Sequence, residues 1–408
     1  MDAQIRALRE DEIDDALRAN AAWFGAGASA EDMAAERKVI EPDRYFVATD
    51  GDQIVAGAGA VTFQLTVPGG VTVPCAGLTS VGTLPTHRRR GLGRALMKRQ
   101  LEDARDRQAP VSYLWASEAA IYQRYGYGMG AFCGAFEIHR DQTGFVHEVP
   151  WPGRLRLVER AEALKIIPDV YERVRLTRAG MIDRPVTWLE YRFHHDEHHR
   201  EKDSSPPFFA IYETGDGAEG YVTYTIKDTW SYGGPKQELT VDELVSATDE
   251  AYAALWRYCF EVDLVRKVEG WKRPIDEPLL HMLREPRALR FQVRDATWIR
   301  LVDVAAALEA RRYSHEGRIV IEIDDEFAPW NDGTYELEGS PHGATCRPTG
   351  AEPDLSMRVE DLAATYLGAV SFRSLARAGR VTERGPDTLT TADAMFSSAV
   401  APWCPWIF

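Results

Sequence analysis

The sequence predicts an α/β chain, of the mixed α+β kind, built in three parts. Three observations carry that expectation. An apolar stretch, Cys75–Leu84 (CAGLTSVGTL), runs into Pro85 and then into a basic, glycine-bearing turn, Arg88–Gly93 (RRRGLG), which opens a helical run. The same order returns at Lys236–Phe260 (KQELTVDELVSATDEAYAALWRYCF), a long strand followed at once by a helix. From Asp295 a third pattern starts, in which Thr297–Tyr313 (TWIRLVDVAAALEARRY) joins a strand to a helix. Apolar strands alternating with helices along one chain mark a layered α/β fold.

The elements follow in order. An acidic helix start covers Asp11–Asn20, with an irregular stretch through Gly25–Ala30 behind it. Strands are expected at Tyr45–Thr49, Gln53–Phe63 and Val71–Leu84, and the helix after the basic turn finishes near Gln108. Val111–Ser117 (VSYLWAS) reads as a short buried strand, and Glu118–Gly130 (EAAIYQRYGYGMG) as a short helix leading into an aromatic-glycine turn. His147–Arg154, with two prolines and Gly153, reads as a linker. In the second part TDEAYA stands where the first has RRRGLG, so neither the glycines nor the arginines of an anion site remain. That repeat fits either a duplicate that has lost its site or an unrelated α/β domain. In the third part Arg318–Ile323 is β-branched, and Asn331-Asp332-Gly333 is a turn former with Thr334–Leu337 as the partner strand. Asp361–Leu367 and Ser371–Ala378 read as helices, and the chain closes on APWCPWIF.

The basic turn suits a diphosphate. Glycines admit close approach of the backbone, first-turn N–H groups and the helix dipole face the anion, and arginines add charge. It is neither a GxxxxGK[ST] loop nor a GxGxxG fingerprint. Read as Arg88-x-x-Gly91-x-Gly93, it resembles the pyrophosphate signature of the GCN5-related N-acetyltransferases, which hold acetyl-CoA this way. The strand, the tyrosine-bearing helix and the Tyr125-Gly126-Tyr127 turn that follow are similar to the next segments of that family.

Composition narrows the partners. A net charge of −15 with 27 % charged residues argues against a nucleic-acid binder and favours cationic small molecules or basic protein segments. No stretch approaches a membrane span and MDAQIRALREDEIDD has no signal-like apolar region, so a cytoplasmic protein without membrane contact is expected. Five scattered cysteines (Cys75, Cys133, Cys259, Cys346, Cys404) read as reduced thiols. His194-x-x-Glu197-His198 matches a zinc-protease pattern and His195/His199 repeat the spacing. The charged and proline-rich residues that follow point instead to a solvated helix end, so no metal is expected.

With the three parts in this order, the whole chain resembles the Eis (enhanced intracellular survival) family of actinobacterial acetyltransferases. That resemblance implies two tandem GCN5-related acetyltransferase-like domains, 1–146 and a degenerate 147–293, followed by a sterol-carrier-protein-like domain, 294–408. It implies that main-chain groups of Val81, Gly82 and Thr83 pair with the pantetheine arm, and that Arg88, Arg89, Arg90, Gly91, Leu92, Gly93 and Arg94 enclose the pyrophosphate. Ser117 and Glu118 would line the other wall. Tyr122 is the expected general acid, since a phenol of pKa ~10 is protonated at neutral pH and can give its proton to the departing thiolate.

The family's base is the terminal carboxylate, here on Phe408. Its intrinsic pKa of ~3.5 lies far below the ~10 of an alkylammonium, so it suits anchoring a cation and relaying a proton through water. The aromatic residues Trp403, Trp406 and Phe408 argue for a docked tail. Trp23, Phe24, Glu36, Ser80 and Ile407 are the candidate substrate-pocket residues. Ser80 and Glu36 align with aromatics of the pocket wall, and Ile407 with a glutamate, in the best-known relatives. The reaction implied is acetyl transfer to amines of polycationic molecules, aminoglycosides foremost, at one or several positions, with antibiotic resistance as the consequence and a homohexamer as the assembly. A protein lysine acetyltransferase is the second reading. An apolar-ligand carrier built on the third domain is the third.

Overall fold

Small and β-branched residues over Gln53–Val67 and Val71–Thr83 make a long hairpin, and Gly69 and Gly70, both at positive φ, form its turn. The computed structural model describes residues 4–198 and 203–408. In chain order the first elements are β1 (Gln4–Ala7), α1 (Ile13–Trp23), α2 (Ala30–Glu36), β2 (Tyr45–Asp50), β3 (Gln53–Val67) and β4 (Val71–Thr83). They continue with α3 (Leu92–Asp106), β5 (Val111–Trp115), α4 (Ala119–Tyr122), β6 (Gly128–Met129) and β7 (Phe132–His139). The middle of the chain holds β8 (Arg154–Val158), α5 (Arg160–Arg175), α6 (Val186–His198), β9 (Phe208–Thr214) and β10 (Gly217–Lys227). A short ribbon of β11 (Trp230–Ser231) and β12 (Gly234–Pro235) precedes β13 (Gln237–Ser246), α7 (Asp249–Glu261), β14 (Val265–Arg273), α8 (Leu279–Met282) and β15 (Gln292–Asp295). The last stretch is β16 (Thr297–Leu301), α9 (Val304–Ala310), β17 (Gly317–Asp324), β18 (Gly333–Ser340) and β19 (Gly343–Pro348). After these come β20 (Leu355–Arg358), α10 (Val359–Thr365), α11 (Phe372–Arg377), β21 (Val381–Glu383) and α12 (Thr388–Phe396).

These elements form two compact units that are not contiguous in sequence. The first comprises Met1–Ala131, Ala296–Pro402 and Ile407–Phe408, and the second Phe132–Asp295 and Trp403–Trp406. A seven-stranded sheet in the first has the order β1-β2-β3-β4-β5-β16-β6. Its pairs are antiparallel except β4 with β5, and β16 pairs antiparallel with both β5 and β6. The second unit has the same plan, read from the other side as β8-β9-β10-β13-β14-β7-β15, with β13 and β14 its parallel pair. β7 there stands where β16 stands in the first sheet. Each sheet therefore completes itself with a strand from outside its own sequence window, which favours duplication of one plan over two unrelated domains. It also explains why windows cut at residues 146 and 293 do not coincide with the compact units.

Helix α3 covers the first sheet through Leu96, Met97, Leu101 and Ala104, all buried at helical spacing. Buried Gln100 on the same face donates to the carbonyls of Arg44 (3.0 Å) and Ala58 (2.6 Å), which ties the helix to the sheet. In the second unit α7 does the same with Leu255, Trp256, Cys259 and Phe260, beginning at a Thr248 side-chain cap. The remaining sheet, β19-β18-β17-β20-β21, belongs to the first unit, as do α9 to α12. All five cysteines are buried, and none forms a disulfide.

A fragment of residues 1–140 lacks β16 and leaves the β5 edge, with Tyr113 and Leu114 fully buried in the intact chain, without its partner. It should show no cooperative thermal unfolding by circular dichroism. A sharp melt would mean that the strand exchange is dispensable.

Candidate active site

The site grows from a fork in the first sheet. β4 and β5 pair only at Cys75↔Val111, Ala76↔Ser112 and Gly77↔Tyr113, after which the strands part. On its other side β4 keeps its pairing with β3, but with a bulge: Gly59 faces Thr79 while Gly57 faces Gly82, and Ser80 takes φ +53. Beyond the last rung, the main-chain groups of Val81, Gly82 and Thr83 that would have met β5 have no strand to meet. An extended chain of the right spacing can add itself there as a strand does.

The far end of β4 leads through Pro85 to the basic turn. Arg88, Arg89, Arg90 and Gly91 are exposed. Arg89 (φ +62) and Gly91 (φ +83) both adopt the left-handed conformation, which curls the backbone N–H groups towards one side. Gly91 is the N-cap of α3 and offers no side chain to it, so the first-turn N–H groups of Leu92, Gly93 and Arg94 stay available to an anion. Cβ atoms built on Gly91 and Gly93 meet nothing within 4 Å. The turn is thus open at both glycines. His87 is held by Asp50 (3.1 Å) and Thr86 (2.8 Å) as a turn residue. The Arg94 guanidinium lies 5.0 Å from the Phe327 ring, so its share in the cradle falls to its main-chain N–H.

Across the fork, Ser117 and Glu118 are exposed at the end of β5 and the start of α4. Tyr122 closes α4 with 6 % exposure, and its phenol is hydrogen-bonded by the Ser117 side chain. Burial, more than the neighbouring Tyr125, pushes the Tyr122 phenol above its ordinary value, while the Ser117 bond opposes that rise. Its ring meets Tyr127 edge-on at 5.9 Å, and the Tyr127 hydroxyl bonds Ser112 at 2.8 Å.

The C-terminal residue comes to the last paired rung. The Phe408 ring lies 5.0 Å from Phe63 and 6.2 Å from Tyr113, and a Cβ on Gly77 would stand 3.1 Å from it. The tail before it is not frayed. Within the second unit, Trp403 donates its main-chain N–H to Ala179 (2.9 Å) and its indole N–H to Lys272 (2.5 Å). Trp406 meets Trp188 at 5.5 Å.

Of the expected pocket residues, the fold gathers Trp23, Glu36 and Ser80 around Tyr45. The buried Tyr45 hydroxyl makes no hydrogen bond; its pKa is raised first by burial and next by the Glu36 charge, with nearby Ser80 opposing the rise. Trp23 is buried on the Gly57–Gly82 pair, so Gly82 matters for more than its main chain. Phe24, by contrast, is 55 % exposed at the end of α1 and stays outside this cluster. Sequence reasoning did not single out Phe63 and Tyr113, which look like ordinary strand aromatics until both meet Phe408, nor Tyr45, which packs with Trp23. The second unit's fork is closed differently. Past Val241↔Gly270, Arg273 of β14 donates to the Leu244 carbonyl (2.8 Å) and pairs with fully buried Glu277 (2.8 Å). α6 keeps its helix through His198, further than a loop end would, and Arg160 binds Glu197 at 3.0 Å. His199 lies outside the described residues, among which no three metal-capable side chains converge.

Residues 4–130 and 180–301 each match an acetyltransferase (GNAT) domain family, and residues 304–405 a sterol carrier protein domain family. An N-acetyltransferase Eis of Mycobacterium tuberculosis is 33 % identical over 387 residues, covering 91 % of this chain and 90 % of that protein. The chain belongs to the Eis family of N-acetyltransferases. An uncharacterized N-acetyltransferase of Streptomyces avermitilis is 40 % identical over 414 residues, 99 % of each chain. Among solved structures of the family, that of Eis1 from Mycobacterium abscessus superposes with a TM-score of 0.87 at 35 % identity, covering 99 % of this chain and all of that one. Membership makes the chain an enzyme with two GNAT domains and a sterol-carrier-like domain. No helix among the described residues is long and apolar enough to cross a membrane.

Three glycine substitutions separate the local demands. Gly82→Ala would put a Cβ 2.0 Å from the Trp23 indole and should cost about 1–3 kcal/mol of stability by overpacking. Gly91→Ala, at φ +83, should cost about 1–2 kcal/mol. Gly93→Ala, in open space, should leave denaturant unfolding unchanged. Equal losses for all three would contradict this geometry.

Proposed function

We propose that this N-acetyltransferase uses acetyl-CoA to acetylate amines of small polycationic molecules, aminoglycosides foremost, at one or several positions. The observation that carries the reading is the seat of Phe408, which brings the chain's end to the fork at Gly77 and Tyr113. The cradle fits the cofactor, since open space at Gly91 and Gly93, uncapped N–H groups and three exposed arginines suit a diphosphate. Acetyl-CoA supplies an acetyl group activated as a thioester. Val81, Gly82 and Thr83 would align the pantetheine arm along β4, and Arg88 to Arg94 would hold the pyrophosphate. Ser117 and Glu118 would bound the other side.

Tyr122 holds its proton firmly because burial raises its pKa, and it delivers that proton to the thiolate as the thioester opens. The Phe408 carboxylate attracts the cationic amine and passes its proton to water. Glu36, close to Tyr45 and Ser80, adds negative charge to the same region, and the net charge of −15 draws cations to the molecule. By the same resemblance the enzyme works as a cytoplasmic homohexamer, which light scattering and cell fractionation test.

Thiol release by the purified enzyme, followed against aminoglycosides, simple polyamines and lysine peptides, tests the substrate class. Turnover confined to lysine peptides would replace it with protein acetylation. Tyr122→Phe should lower kcat about 100-fold, within the usual range for general acids, with acetyl-CoA affinity retained; equal losses in both would make Tyr122 a packing residue. Because its pKa is raised, Tyr122 stays protonated, so kcat should climb as the amine loses its proton and show no decline due to this acid below about pH 10. One glycine added after Phe408 moves the carboxylate and should lower kcat/KM for the amine by at least about tenfold. Unchanged kinetics would remove the carboxylate from the mechanism.

A further inference from the structure

Three segments far apart in sequence meet beneath the turn that follows Tyr122, all within the first unit. Arg300 of β16 and Asp325, just past β17, form an ion pair of 2.5 Å whose side chains are 0 % and 1 % exposed. The Asp325 carboxylate also accepts from Asn331 Nδ2 (3.0 Å) and from the main-chain N–H of Ala328 (3.0 Å), so its place is set from several directions. The guanidinium lies against Gly126, where a Cβ would stand 2.6 Å from both its Cζ and Nη1. Gly126 needs glycine twice over, since its φ is +81. Two residues beyond Asp325, Phe327 packs on Tyr125 with ring centroids 4.9 Å apart, and the Arg94 guanidinium lies 5.0 Å from the same Phe327 ring.

Nε and Nη1 of Arg300 make no hydrogen bond. A fully buried guanidinium left partly unsatisfied is an expensive way to fill space, because the desolvation of a charge is recovered only through good pairing. An apolar side chain would pack the same volume more cheaply. What the charge adds is direction: held through Nη2 on a fixed carboxylate, the flat guanidinium lies as a rigid plane against Gly126 and prevents the turn from sliding. The turn so held carries Tyr125 and Tyr127, and Tyr127 meets the Tyr122 ring.

We propose that the Arg300–Asp325 pair and Phe327 are positioning residues for acetyl transfer, holding the Tyr125–Tyr127 turn so that the Tyr122 hydroxyl keeps its place. Asp325 and Phe327 lie in the segment matched to the sterol carrier family, which thereby acquires a part in the acetyl-transfer site. The inference rests on the reading of Tyr122 as the proton donor.

A double-mutant cycle on the full-length enzyme tests it, with kcat and the KM for acetyl-CoA measured for wild type, Arg300→Lys, Tyr122→Phe and the double variant. Arg300→Lys keeps the charge and loses the flat guanidinium that lies against Gly126; it should lower kcat about tenfold or more with KM changed less than about twofold. In the Tyr122→Phe background the same change should lower kcat less than about twofold, because the group being positioned is gone. Equal loss in both backgrounds overturns the proposal while leaving Tyr122 as the acid. No loss of kcat in Tyr122→Phe alone overturns both. Phe327→Leu removes no charge and serves as the second probe, with the same cycle expected. Independently of turnover, amide hydrogen exchange over Gln123–Gly130 should quicken in Arg300→Lys and in Phe327→Leu. Unchanged exchange in both also overturns it.

Discussion

Everything distinctive about this molecule depends on two strands that stop pairing. β4 and β5 share three rungs and separate beyond Gly77 and Tyr113. The separation is built in on the other side of β4, where the bulge at Ser80 turns the strand while its pairing with β3 continues to Thr83. A parallel pair broken in this way leaves main-chain donors and acceptors that something extended must satisfy. The basic turn stands at one end of the opening, the Tyr122 helix at its far wall, and the Phe408 ring at its closed end. Each of these three features would be ordinary alone.

The second unit repeats the opening and fills it. Arg273 crosses its fork to the Leu244 carbonyl, anchored by Glu277, and the Trp256 and Trp403 rings lie 5.3 and 5.5 Å from its guanidinium. The turn after β13, without the glycines and arginines of the first, thus goes with a filled fork, in which a buried polar side chain takes up main-chain hydrogen bonds. The same unit binds the tail at Trp403 and Trp406 by main-chain, indole and guanidinium contacts, so the residues just before Phe408 lie in ordered surroundings.

The sterol-carrier-like part belongs to the first unit. Its helix α10 lies against Gly128, where a Cβ would stand 2.1 Å from the Glu360 carbonyl oxygen. Trp330 donates to the Val302 carbonyl at 2.8 Å, and the Arg105 guanidinium of α3 lies 4.9 Å from the same indole ring. Ile321, Leu337, Leu362 and Tyr366 are fully buried in its core. Burial of this kind couples the stability of the site to that of a segment two hundred residues away in sequence.

The sequence by itself determined the local pieces: the RRRGLG turn, the helix behind it, the strand–helix repeat and the pairing of Arg318–Ile323 with Thr334–Leu337, though the connection is a longer loop with Asn331 buried at the end of a short helix. Each is written in near neighbours, where turn chemistry and periodicity act directly. It also singled out Tyr122 and the aromatic tail as candidates, through their setting within short motifs. Tertiary structure alone decided the rest. The exchange of β7 and β16 is invisible to periodicity, because a strand's pattern names the face it buries and not the sheet it joins. Phe63 and Tyr113 meet Phe408 only through cross-strand register, and Phe24 is exposed because it stands at the end of α1. The Arg300–Asp325 pair lies deepest in this class: 25 residues apart in sequence, it acquires meaning only where β16 enters the first sheet beneath Gly126.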